Sequence, residues 1–102
     1  MKAHVTVEMN GQRFEQIIEG PTVDDLFTQF RELVQSNLPF VQRQVARLLS
    51  DGDFMRRAVD EYNSRFGKSE LHPASAEEFL TFGQRAGYVA LLEMPGNDRS
   101  KT

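Results

Sequence analysis

The sequence predicts an α+β fold in the order ββααααβ: an N-terminal β-hairpin, four helices, and a C-terminal strand that completes a small three-stranded sheet. Three observations carry this prediction. Residues 3–9 alternate between apolar and polar, a second strand segment follows at 12–19, and Asn10-Gly11 lies between them. From Val23 onward, apolar residues recur at helical spacing in four consecutive segments. Finally, Tyr88-Val89-Ala90-Leu91-Leu92 is a short apolar run bounded by Gly87 and Pro95-Gly96, the signature of a strand.

The hairpin comes first. Asn-Gly tolerates the two positive-φ positions of a type I′ turn, and a two-residue turn fixes the pairing. It sets Met9 against Gln12, Glu8 against Arg13, Val7 against Phe14 and Ala3 against Ile18. Apolar side chains then share one face, and an opposite-charge pair lies on the other. Gly20-Pro21-Thr22 breaks the second strand. Thr22 is a helix cap whose partner at the third position is Asp25, with Asp24 and Asp25 suited to the positive end of the helix. The stripe Val23, Leu26, Phe27, Phe30, Leu33 and Val34 defines the first helix.

Pro39 suits the first turn of a second helix, expected to run to about Ser50 with Val41, Val45, Leu48 and Leu49 as its buried face. Asp51-Gly52-Asp53 is expected to end it and to cap the third helix, about 54–66, which stripes Phe54, Met55, Ala58, Val59, Tyr62 and Phe66. Gly67 fits the left-handed residue that closes it. After a loop from Lys68 to Ala74, Ser75 with Glu78 reads as a capping box for a fourth helix carrying Phe79, Leu80, Phe82 and Ala86 and closed by Gly87. The last strand is apolar on both faces, which suits a covered strand flanked by others, and it is expected to insert beside the first. Residues 1–94 form one domain on this reading. Residues 95–102 hold no large apolar side chain and are expected to be a disordered tail.

The opening hairpin, followed by Thr22-Val23-Asp24-Asp25-Leu26 and an amphipathic helix, resembles the start of a ubiquitin-like β-grasp. The resemblance spans about the first third of the chain. Beyond it, helical stripes stand where the grasp would need further strands, and no family is assigned.

Composition narrows function by exclusion. The 102 residues include no cysteine, which removes disulfide scaffolds, thiolate metal sites and cysteine nucleophiles. A net charge of -3 argues against gripping nucleic acid or anionic lipid over the whole surface. No apolar run approaches the roughly 20 residues of a membrane helix, and the first residues enter strand alternation without a signal-peptide core, so the expected location is cytoplasmic. The two histidines, His4 and His72, are far apart in the chain, and the carboxylate pairs sit at helix starts or on polar faces. The seven glycines form no phosphate-binding loop. Neither a cofactor nor a catalytic set is expected.

Interaction candidates come from charge and from apolar surplus. Residues 43–68 hold six of the twelve basic side chains but four of the fifteen acidic ones. Arg43, Arg47, Arg56 and Arg57, with Phe40 beside the first two, form a candidate cation–aromatic surface on the second and third helices. The simpler expectation is that Phe40 tucks into a helix corner while Arg57, Glu61 and Arg65 form a solvated ladder. Eight phenylalanines exceed what the sheet requires, so Phe79 and Phe82 are candidates for a leftover contact patch. Ile17, on the outward side of the second strand between Glu15 and Glu19, is a candidate pairing surface. The expected function is a non-catalytic protein-interaction domain (an adaptor, regulator or assembly factor), with homodimerisation the simplest way to cover a leftover patch. The alternative is nucleic-acid binding through the basic segment.

Overall fold

A computed structural model of the chain describes residues 1–9 and 11–93. It contains β1 (Lys2–Met9), β2 (Gln12–Glu19), α1 (Val23–Ser36), α2 (Phe40–Arg47), α3 (Asp51–Phe66), α4 (Ala76–Ala86) and β3 (Val89–Glu93). The strands form one antiparallel sheet in the order β2-β1-β3. The hairpin register is the one the two-residue turn dictates, with Val7 opposite Phe14 and Ala3 opposite Ile18. Gly11 has φ 77°, as the second turn position requires. Asn10 lies outside the described residues, as does the tail from Pro95.

β3 lies at an edge of the sheet, not between other strands. A bulge in its pairing with β1, between Lys2 and Ala3, shifts the register, and Leu92 remains exposed. The apolar character of both its faces therefore reflects more than burial. Its inner residue Val89 is buried against α4 at a point of close approach, where a Cβ on Gly83 would come within 2.9 Å of Val89 Cγ2.

One face of the sheet carries Ala3, Val5, Val7, Ile18 and Val89 into a core shared with α1, α3 and α4, and no polar or charged residue is buried among the described residues. The helices meet one another through aromatic rings. Phe79 stands 5.5 Å from Phe27 and 5.4 Å from Phe30, both edge-to-face, and 5.9 Å from Phe82, ring centre to ring centre. Phe27 also packs edge-to-face on Phe54. Edge-to-face contact places the positive rim of one ring on the negative face of the next. Thus five of the eight phenylalanines, Phe27, Phe30, Phe54, Phe79 and Phe82, are used between the helices, while Phe40 and Phe66 stand exposed. Phe79 and Phe82, each 2% exposed, are core residues and not a leftover surface patch.

Caps explain the helix ends. Thr22 Oγ1 accepts from the Asp25 backbone N–H, and Asp25 Oδ2 accepts from the Thr22 backbone N–H, completing a capping box. Ser75 Oγ accepts from the Glu78 N–H, but the Glu78 carboxylate reaches one residue further back, to the Ala74 N–H. α3 begins at Asp51, earlier than the apolar stripe implies, because Ser50 Oγ accepts from the Asp53 N–H and takes Asp51-Gly52-Asp53 into the first turn. α2 is correspondingly shorter, ending at Arg47. Gly67 and Gly87 close α3 and α4 at φ 64° and 88°.

Three substitutions test this packing. Phe79→Ala removes the ring shared by α1, α3 and α4 and is expected to cost about 3–5 kcal/mol in urea unfolding. Gly83→Ala drives a methyl group into Val89 and is expected to cost about 1–3 kcal/mol. The exposed Leu48→Ala should change stability by less than about 0.5 kcal/mol.

Candidate interaction cleft

The second helix departs most from its sequence pattern. Its stripe was expected to face the core, yet Val41 is 71% exposed and Leu48 87% exposed, with Val45 also exposed. Ala46 is its buried residue, and no α2 side chain belongs to the main core cluster. Phe40 does not tuck into the helix corner but stands 69% exposed.

Two arginines account for this orientation. α1 ends without a basic residue in its last turn, and the Arg43 guanidinium reaches back from α2 to the carbonyls of Ser36 (3.4 Å) and Leu38 (3.1 Å). In return, Arg31 of α1 donates through Nη2 to the carbonyls of Ala46 (3.0 Å) and Leu49 (2.6 Å) beyond the end of α2, and through Nη1 to Asp51 (2.6 Å). Its guanidinium also lies over the Phe54 ring, 5.1 Å from the centroid. The last carbonyls of a helix have no partner within it, and a cation there also complements the negative end of the helix dipole. Each helix therefore lends an arginine to the other's C-terminal end. Arg43 and Ala46 turn inward together, so the apolar stripe, roughly opposite Arg43 on the helical wheel, is turned away from the core.

The stripe borders a cleft of about 650 Å³. Val41 and Val45 form one wall, α3 supplies the other through Arg57, Ala58, Glu61 and Arg65, and the floor is aromatic, with Phe30, Phe54, Phe79 and Phe82. Glu8 of β1 and Tyr88 lie at the end towards which α3 runs. A volume of this size, apolar within and charged at the rim, is typical of a recognition site.

The sequence-selected residues are dispersed by the fold. Arg43 is engaged in capping α1, and Arg56 is paired with Asp53. Arg57 lines the cleft and has no ion-pair partner among the described residues, whereas Arg47 is exposed on the outer side of α2. Only the Arg65–Glu61 step of the expected charge ladder forms, at 3.2 Å. Ile17 is half exposed on the open face of the sheet, opposite His4, whose Nε2 lies 2.9 Å from the Glu15 carboxylate. His72 Nε2 lies 2.7 Å from Asp60. It borders a second, shallower hollow of about 300 Å³ with Glu77 and Arg85. Among the described residues, no three metal-ligating side chains converge.

Sequence reasoning missed the cleft because a stripe at helical spacing does not say what covers it. The available signal was local: from Phe40 to Ser50 there is no carboxylate.

Compared with protein-family models, curated proteins and solved structures, the chain finds no significant match. No helix among the described residues is long and apolar enough to cross a membrane.

Two tests follow from the site. Arg31→Ala removes the donor to the Leu49 carbonyl and one of the donors to the Ala46 carbonyl, which keeps the Leu49 N–H, and should cost about 1.5–3 kcal/mol, with Arg31→Lys restoring only part because an ammonium lacks the planar fork. Urea unfolding of both variants measures it. Tyr88 ionises above its ordinary value because burial disfavours the phenolate, while Arg65 pulls the other way and Tyr62, Glu61 and Glu8 push further up. The fold therefore favours the protonated phenol. Its contribution is complete below the unfolded value of about 10 and is lost as pH rises through the higher folded value. Stability should fall with pH above about 10, and Tyr88→Phe should remove that part of the fall in denaturant titrations.

Proposed function

We propose that this chain is a non-catalytic protein-interaction domain, acting in the cytoplasm as an adaptor, regulator or assembly factor, and that it takes an apolar segment of its partner into the cleft between α2 and α3. One observation carries the reading: Val41, Val45 and Leu48 form an amphipathic helix face that the chain's own core does not cover, beside a cleft with an aromatic floor. Exposed apolar surface gathered at a concave site is the usual mark of a contact surface, whereas scattered apolar residues are not. A pair of helical walls over an apolar floor suits a helix laid in a groove.

The nucleic-acid reading has less support. Of its four arginines, Arg43 and Arg56 are already engaged within the chain, leaving Arg47 and Arg57 to meet phosphates.

Site-specific photo-crosslinking in the producing cell tests the proposal. A crosslinking side chain at Gln42 or Leu48 should give a discrete protein adduct that is absent when the same group replaces Ile17, and Val45→Asp should abolish the adduct. A well-expressed, folded protein giving no adduct at either position would refute the reading.

A further inference from the structure

Resting on that reading, we infer that the segment received by the cleft is an amphipathic helix of a different protein, carrying a carboxylate that meets Arg57. The charges of the cleft supply the argument. Four charged side chains line it: Glu8, Arg57, Glu61 and Arg65. Arg65 is answered by Glu61 at 3.2 Å, and these two and Glu8 are near enough to Tyr88 to act on its proton. Arg57 stands one turn before Glu61 on the same wall, and among the described residues it has no ion-pair partner. The opposite wall offers none, since residues 40–50 contain arginines and glutamines but no Asp or Glu. A carboxylate introduced between the walls therefore meets a guanidinium that the domain leaves unpaired, and a helix seated over the exposed Arg57 would shield the pair from water and strengthen it. A basic residue there meets Arg57 and finds no carboxylate on the α2 wall to answer it.

The same count disfavours a second copy. A two-fold contact between α2 helices would bury Val41, Val45 and Leu48 of both copies, but residues 40–50 hold no Asp or Glu, so the opposing α2 brings no carboxylate to Arg57. The apolar groups select a helix with anchors at i, i+3 or i+4, and i+7, and Arg57 sets the sign of the residue flanking them.

The test uses two fluorescein-labelled, staple-stabilised helical peptides of about four turns with identical leucine anchors, one with glutamate and one with lysine at every flanking position. Binding to the full chain is followed by fluorescence anisotropy at moderate salt, and the protein's mass is measured by sedimentation. We expect the glutamate peptide to bind at least tenfold more tightly, Arg57→Glu to cancel or invert that preference while leaving the thermal midpoint unchanged, and Val45→Asp to remove both affinities. Equal affinity for the two peptides, or a preference untouched by Arg57→Glu, overturns the inference while leaving the interaction reading standing. Failure of both peptides to bind overturns it too, and the crosslinking result then decides the broader reading independently. A dimer in sedimentation that Val45→Asp converts to monomer would assign the cleft to a second copy and overturn the inference.

Discussion

The exchange of arginines between α1 and α2 determines what the molecule shows to its surroundings. Arg31 and Arg43 each satisfy carbonyls at the far end of the other helix, and together they fix the rotation of α2 about its own axis. Hydrogen bonds from a charged donor to carbonyls at a helix end are worth about 1.5–3 kcal/mol each. That is comparable with about 1.5–3 kcal/mol for fully burying one branched aliphatic side chain. The two arginines set their own direction, and Val41 and Val45 are left along the cleft, with Leu48 exposed outside it. Electrostatic closure of the helix ends takes precedence over hydrophobic closure of one helix face.

Elsewhere, hydrophobic closure decides the arrangement. Phe27, Phe30, Phe54, Phe79 and Phe82 join α1, α3 and α4 through one set of rings, with the sheet's inner face beneath. The floor of the cleft is the outer side of this same cluster. The stability of the domain and the shape of its candidate site thus draw on shared residues, while the rim, with Val41, Val45 and Arg57, can vary without disturbing the core.

Much of this was legible in the sequence wherever structure is decided locally. The Asn-Gly turn dictates a register, and Val7 does pair with Phe14. Thr22, Ser75, Gly67 and Gly87 act as caps because their chemistry concerns only the backbone within a few residues. Legibility ended where the outcome depended on partners distant in the chain. Nothing in residues 40–49 indicates that Arg31 would orient them, so the apolar stripe of α2 was assigned to the core by the rule that usually holds. The surplus of phenylalanine was noticed, but its destination depended on three helices converging. The place of the last strand was legible too: it pairs with β1, as expected, although its apolar run suits a strand flanked on both sides and it stands at an edge.

The manner in which α2 is attached has a consequence for motion. It contributes no side chain to the main core cluster and is joined to its neighbours by Pro39 on one side and the short Leu48–Ser50 connection on the other. Segments with few buried apolar contacts open at a small fraction of the global unfolding free energy. Backbone amides of α2 should accordingly exchange with deuterated solvent well before those of α1 or α4, as one unit released when the guanidinium clasps let go. A wall that detaches in this way would let the cleft change its width by a swing of one helix, with the aromatic floor left in place.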